Sequence, residues 1–292
     1  MSTTYPGSVP GSGPTPGSAP GSVPVFESRA AGRGAVTFPR VLDAEWIKLR
    51  SLRSTFYTLL AAIVFLIGFG LVLCAVMAHS WPTMSEANRA DFSPPNGALS
   101  GFFVGQLAIG ALGVLVVTGE YATGSIRATM SAVPHRLPVL WAKALVFAVV
   151  TFVSTGIAAV IAFLGGQALL ADRHVGVSLG DAGVPRVVVG VPLYLTLVAV
   201  LAIGLGTVIR STAGGISAVV GLLLVLPALA QVMPRSWQNN GTKFLPSEAG
   251  QSFLRWHHAE HTLTPGTGLA VFALYAFASL AVAAVLLRRR DT

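Results

Sequence analysis

The sequence predicts an all-α integral membrane protein with six transmembrane helices, and three observations support this fold class. Of the 292 residues, 53% are hydrophobic and only 10% are charged, less than half the charged fraction usual in soluble domains. Six hydrophobic runs reach the roughly 20 residues that a helix needs to cross a bilayer. The basic residues behind the net charge of +8 lie in short segments beside these runs, which indicates membrane topology and argues against nucleic acid as a partner.

The amino-acid composition divides the chain into two regions. Residues 1–39 repeat Pro-Gly-Ser units and cannot bury enough apolar surface to fold, so we expect a disordered cytoplasmic tail. Binding of this tail to a proline-recognition domain is the less favoured alternative to a plain flexible extension. Residues 40–292 form the six-span membrane domain.

An amphipathic helix is predicted just before the first span, from Arg40 to Ser54. Its apolar residues recur at helical spacing beside basic ones, which is typical of a helix that lies in the lipid interface. The residues that define this interfacial helix are Trp46, Lys48, Arg50 and Arg53, with Leu42, Leu49 and Phe56 on the apolar side.

The six predicted spans are Phe56 to Ala78, Leu99 to Thr118, Ala144 to Leu170, Val187 to Ile209, Ala213 to Met233 and Thr267 to Leu287. The fourth and fifth are separated by three residues only, which predicts a tight helical hairpin whose glycines permit close helix approach. None of the six contains Asp, Glu, Lys, Arg or His, although proton-coupled transporters usually need titratable groups within the membrane. The sequence also lacks a GxxxxGK[ST] phosphate-binding loop, so energy for any uphill transport has to come from another protein.

Basic residues near the span ends predict that both termini are cytoplasmic. With the N-terminus inside, eleven basic residues flank the spans on the cytoplasmic side and six on the other side. The cytoplasmic set is Arg40, Lys48, Arg50, Arg53, Arg127, Arg136, Lys143, Arg210, Arg288, Arg289 and Arg290.

The polar segment from Gly119 to Lys143 is then cytoplasmic. Gly119 and Gly124 are expected to mark its start, and Ser125 to Met130 can form one or two helical turns before Val133-Pro134 ends them. A solvated loop would need none of this order, so we interpret the segment as a docking element for a partner protein.

Several motifs resemble the permease subunit of a type-2 ATP-binding-cassette (ABC) transporter of the actinobacterial kind. They are AEWIKLRSLRST before the first span, E-Y-x-x-G-S-I-R-x-T from Glu120 to Thr129, Pro134, and the Ala142-Lys143 pair, with LPSEAG and the terminal RRRD as weaker matches. The resemblance covers about residues 40 to 291, and the cytoplasmic segment is its most specific part.

The resemblance implies half of an exporter in the bacterial plasma membrane. It implies a coupling helix between spans two and three that fits a cleft on a separate cytoplasmic ATPase, and a second permease copy, identical or different. This chain would then be no enzyme and would bind no cofactor, while ATP and Mg²⁺ would bind the partner. The residues expected to contact the ATPase are Glu120, Tyr121, Gly124, Ser125, Ile126, Arg127, Thr129, Pro134, Arg136 and Lys143.

The expected function is therefore ATP-driven export of an amphiphilic substrate, such as a drug, lipid or peptide. The alternative is a non-transporting scaffold or sensor whose basic loop recruits a cytoplasmic partner, and an autonomous secondary transporter is a distant third. His257 and His261, with Glu260, have the spacing of zinc ligands on a helix, but a hydrated surface cluster is the favoured interpretation.

Overall fold

A computed structural model of the chain describes residues 37–51, 53–122, 124, 136–257 and 260–289. Every regular element within these ranges is helical, which confirms the all-α fold class. The predicted tail, residues 1–39, lies outside them except for its last three residues.

Seven long helices build the described domain. They are α1 (Phe38–Ser51), α2 (Arg53–Ser80), α3 (Phe102–Ala122), α4 (Arg136–Ala171), α5 (Val184–Ile209), α6 (Thr212–Ala230) and α7 (Pro265–Arg289). Six of these, α2 to α7, are long and apolar enough to cross a membrane, as predicted. Short helices named here by their residues, such as Pro94–Leu99 and Pro246–Ser252, connect them at one end.

Helix α5 is the centre of the bundle. Its most apolar stretch is 78% buried, against 22% for α2, α6 and α7, because α3, α4 and α7 all pack around it. On α5, the fully buried Tyr194 lies 5.1 Å from Phe272 of α7 and 5.7 Å from Phe102 of α3, measured between ring centroids. The Tyr194 hydroxyl donates a hydrogen bond of 2.5 Å to Gln106 Oε1, so the polar end of this buried ring is satisfied.

Helices α3 and α4 both continue beyond the predicted spans into the polar segment. Helix α3 continues past Thr118 to Ala122, so Gly119 lies inside a helix and the expectation that it marks the start of the segment is wrong. Gly124 does follow the helix end, with a φ of +69° that favours glycine. Helix α4 begins at Arg136 instead of near Ala144. The physical reason is that apolar runs end where charged residues begin, whereas helical hydrogen bonding continues through charged residues.

The predicted hairpin between α5 and α6 is confirmed. Arg210 ends α5 in a left-handed conformation with φ of +57°, and the Ser211 hydroxyl accepts a 3.3 Å hydrogen bond from the Gly214 backbone N–H. The glycines of this hairpin permit close approach mainly to helices outside the hairpin, α7 and α3. A Cβ on Gly204 would lie 2.2 Å from Ser279 Oγ on α7, and one on Gly215 would lie 2.6 Å from Val114 on α3.

The end of the bundle away from α1 is held together by hydrogen bonds to backbone carbonyls. Arg186, in the first turns of α5, donates to the carbonyl oxygens of Phe253, Arg255 and Trp256 at 2.7, 2.8 and 3.1 Å. Asn96 donates to the Leu254 carbonyl at 2.9 Å. The connection between α6 and α7 is therefore tied to α5 and to the helix Pro94–Leu99.

Candidate partner-docking site

Four charged side chains meet where the polar segment leaves the bundle. They are Glu45 and Lys48 of α1, Glu120 in the last turn of α3 and Lys143 in the second turn of α4; we call them the ion cluster. The Lys143 ammonium donates to Glu45 Oε2 at 2.7 Å and to Glu120 Oε1 at 2.8 Å. The Lys48 ammonium donates to Glu45 Oε1 at 2.7 Å and to Glu120 Oε1 at 3.2 Å.

The cluster is neutral in sum and mostly shielded from solvent. The side chains of Glu45 and Lys143 are 4% and 8% exposed, that of Glu120 is 16% exposed, and that of Lys48 is 37% exposed. Buried charges are tolerated when they are paired and hydrogen-bonded, which is the arrangement seen here. We conclude that the cluster is an internal structural junction, because most of its charge is not presented to the surface.

The ion cluster shifts the pKa values of Glu45 and Lys48. Burial alone would raise the pKa of Glu45, but the positive charge of Lys143 and hydrogen bonds from Lys143 and Lys48 outweigh it, so the pKa lies below its usual value. Burial alone would lower the pKa of Lys48, but the hydrogen bond and charge of Glu45, together with Glu120, raise it above the usual value. Glu45 and Lys48 are therefore ionised at neutral pH.

The positions of these residues along the chain give the cluster its significance. Glu120 lies three residues before residue 123 and Lys143 eight residues after residue 135, so the pair closes the base of the polar segment. Glu45 and Lys48 lie one helical turn apart on α1, on the face that packs against α4, and Lys48 reaches Glu120 of α3. The two ends of the segment are thus bonded to each other and to the same helix.

A second contact joins the end of α3 to the α5–α6 hairpin. The guanidinium carbon of Arg210 lies 5.2 Å from the centroid of the Tyr121 ring, within the range of a cation–π interaction. One turn earlier on α3, the Thr118 hydroxyl accepts a hydrogen bond of 2.9 Å from Thr212 on α6. The last turns of α3 are therefore held by α1 and α4 through the ion cluster, and by α5 and α6 through Arg210 and Thr212.

The structure locates only part of the predicted docking set. Glu120, Tyr121 and Lys143 come together at the base of the segment, with Gly124 just beyond it, and Arg136 is the first residue of α4. The predicted coupling helix, Ser125 to Met130, and Pro134 lie outside the described residues. This second group contains Ser125, Ile126, Arg127, Thr129 and Pro134, whose contact with an ATPase stays a prediction.

The residues predicted for the interfacial helix divide between two environments. A helix does form, from Phe38 to Ser51, and its buried residues are Val41 and Glu45. Trp46 is 48% exposed and Arg50 is exposed, whereas Lys48 turns inward to the ion cluster. The placement of Arg53 in this helix is wrong, because the helix ends at Ser51 and Arg53 is the exposed first residue of α2. The most buried charged side chain of α1, Glu45, was not among the predicted site residues.

Glu45 and Arg210 were missed for different reasons. Glu45 is an acidic residue in a basic helix, and the available signal was its spacing of three from Lys48, which places both on one helical face. Arg210 was read only as a topology signal, because nothing in the sequence indicates that a hairpin turn near residue 210 reaches the end of α3.

The histidines of the connection before α7 show no metal-binding arrangement in the described part of the chain. The ring of His257 is tilted by 38° against that of Trp256 with centroids 4.2 Å apart, and His258 lies outside the described residues. No group of three or more His, Cys, Asp or Glu side chains that could hold a metal ion occurs within the described ranges.

No protein-family model matches the sequence, and no curated protein matches it. We therefore infer the function from the residues and their geometry.

Proposed function

We propose that this chain is the membrane-spanning permease subunit of an ATP-driven exporter, and that the segment between α3 and α4 docks onto a separate ATPase. The observation that carries the proposal is the ion cluster at the base of that segment, with its 2.7 and 2.8 Å bonds from Lys143 to α1 and α3. A loop that served only to connect two spans would not need its two ends bonded through buried charges.

The cluster supports this role because it makes the two ends of the segment move together. Charges that are nearly fully buried cannot separate cheaply, since an uncompensated buried charge costs about 3–5 kcal/mol. A displacement applied to the segment is therefore passed to α3 and α4 as one body, with α1 attached. Through Arg210 and Thr212 the same displacement reaches the α5–α6 hairpin. Glu120 and Lys143 act as positioning residues in this scheme.

The surrounding features fit a subunit that draws its energy from elsewhere. The apolar interior of the bundle holds Gln106 and Tyr194 as a buried polar pair, and the sequence has no phosphate-binding loop of its own. We propose that the α1 end faces the cytoplasm of a bacterial cell, as the basic residues at that end favour. We further propose that α1 lies in the interface, with the exposed Trp46 at headgroup level.

The complete transporter in this proposal contains two permease chains and two ATPase chains, and it exports an amphiphilic substrate. An amphiphilic substrate is compatible with the apolar bundle, because such a molecule partitions into the bilayer.

Affinity purification of the tagged full-length chain in mild detergent tests the proposal. We expect a nucleotide-binding subunit in stoichiometric amount by mass spectrometry, with ATPase activity in the eluate. Charge reversal of the segment, Arg127→Glu with Arg136→Glu, should remove that subunit while leaving membrane insertion intact. Reversal of two basic residues at the other end, Arg235→Glu with Lys243→Glu, is the matched control and should retain it. A homomer without ATPase activity would contradict the proposal and favour the scaffold or sensor.

A further inference from the structure

Arg210 differs from the other charged side chains at the base of the polar segment, because its charge is not neutralised there. The two lysines and two glutamates of the ion cluster neutralise one another, and Glu120 already bonds to both lysines. Within the described ranges, the Arg210 side chain makes no hydrogen bond and no ion pair. The contact that it does make is with the face of the Tyr121 ring.

The position of Arg210 directs it toward the aqueous phase at the centre of this end of the bundle. It follows the last residue of α5, the helix around which α3, α4 and α7 pack, and only Arg210 and Ser211 separate α5 from α6. Lipid headgroups surround the rim of a transmembrane bundle, whereas the end of its central helix faces water or a docked protein. A protein partner is therefore the ligand that this position favours.

The guanidinium of Arg210 is held in place by the protein and is still accessible. Its Nε is buried without a hydrogen-bond partner in the described part of the chain, so this nitrogen is not hydrated. Its two terminal nitrogens are not enclosed in this way, and the residue as a whole is partly exposed. Two adjacent N–H groups of a guanidinium match the two oxygens of a carboxylate, which binds them through parallel hydrogen bonds.

The backbone of Arg210 indicates that its side chain has a use. With a φ of +57°, Arg210 occupies the left-handed conformation in which helices usually end on glycine or asparagine. An arginine at this position adds backbone strain that a glycine would avoid, and such strain is characteristic of functional positions. A positive charge that served membrane topology alone needs no particular residue of the turn, because topology depends on the number of basic residues near the span ends.

We infer that Arg210 is a docking contact separate from the polar segment, and that the ATPase places the carboxylate of an Asp or Glu side chain against its guanidinium. This inference rests on the proposed function and specifies the chemistry of the partner surface. Exposed arginines at the same end of the bundle, among them Arg50, Arg288 and Arg289, favour an acidic surface around that carboxylate. The ATPase then acts on the α5–α6 turn directly, in addition to its contact with the segment between α3 and α4.

Release of the ATPase from the immobilised full-length chain tests the inference. The tagged chain is captured together with the ATPase subunit that co-purifies with it, and the release of that subunit is followed after dilution. Arg210→Gln should release it about 30-fold faster, which corresponds to about 2 kcal/mol for one partner lost from an enclosed charge pair. Arg288→Gln, the matched control, removes an exposed arginine at the end of α7 and should change the rate by less than about threefold.

Zero-length crosslinking with a carbodiimide identifies the group that contacts Arg210, because this reagent joins an amine only to a carboxylate in direct contact. In Arg210→Lys, we expect a new crosslink to an Asp or Glu of the ATPase, absent from the wild-type chain and mapped by mass spectrometry. A wild-type release rate in Arg210→Gln, no crosslink to the ATPase from Arg210→Lys, or a crosslink to Glu120 instead would overturn this inference and leave the proposed function in place. Absence of an ATPase from the purified wild-type chain would overturn both.

Discussion

Replacement of Lys143 by methionine is the substitution that we expect to destabilise the ion cluster most strongly. The substitution keeps most of the length of the side chain but removes the ammonium that bonds to both Glu45 and Glu120. Glu45 is 4% exposed, so it cannot regain full hydration, and of the two ammonium groups of the cluster only that of Lys48 remains. Breaking a buried pair in this way costs about 3–5 kcal/mol. We expect the lower end of that range, because Lys48 stays in place.

Thermal unfolding of the purified chain in detergent, followed by helical circular dichroism, measures this effect. A loss of about 3 kcal/mol corresponds to a fall in melting temperature of roughly 6–12 °C for a domain of this size. Lys243→Met is the matched control, since that lysine only lies over the Phe244 ring at 5.5 Å, and its loss should cost less than about 1 kcal/mol. Adding Glu45→Gln to Lys143→Met should recover part of the loss, by about 0.5–3 kcal/mol of coupling. A wild-type melting temperature in Lys143→Met, or a double variant as unstable as the sum of the single ones, would refute the reasoning.

Three further predictions concern neighbouring features. The pKa of Glu45 is lower in the folded chain than in the unfolded chain, where it is about 4.3, so ionised Glu45 stabilises the fold above pH 4.3 and this effect is lost as the pH falls through the folded pKa. Melting temperatures that stay constant from neutral pH down to about 3 would contradict this. Arg210→Gln removes a cation–π contact worth about 0.5–2 kcal/mol and should lower the melting temperature by a few degrees, whereas an unchanged value would mean that this contact does not stabilise the end of α3. Gly204→Ala places a Cβ 2.2 Å from Ser279 Oγ and should lower the free energy of unfolding by about 1–3 kcal/mol. Gly68→Ala places its Cβ in open space and should be neutral or slightly stabilising. Equal effects of the two substitutions would disprove the close approach of α5 and α7.

The six long helices were predictable because each is recorded locally in the sequence as an apolar run of sufficient length. The α5–α6 hairpin was predictable for the same reason, since only Arg210, Ser211 and Thr212 separate two such runs. Helix ends were less predictable. Glu120 and Lys143 continue α3 and α4 beyond the apolar runs because each has a buried partner of opposite charge, and hydropathy carries no information about such pairs.

For the candidate site, the sequence predicted which residues of the polar segment take part, but not which residues they contact. Glu120 and Lys143 were selected as contacts for a partner, whereas the structure bonds them to each other and to Glu45. The sequence separations of 98 and 23 residues explain the difference, because pairing over such distances depends on how α1, α3 and α4 pack. Lys48 illustrates the same point, since a basic residue of an amphipathic helix is equally consistent with a lipid-facing and an inward-facing position.

The central claim is that the segment between α3 and α4 is the surface on which a separate ATPase acts. Site-specific photo-crosslinking in intact cells tests it most directly, with a photoreactive amino acid at position 126 in the segment. A matched probe replaces Leu179, which is 39% exposed at the opposite end of the bundle. We predict a crosslink to a nucleotide-binding protein from position 126 and none from position 179. No crosslink from position 126 to such a protein, or equal crosslinks from both positions, would contradict it.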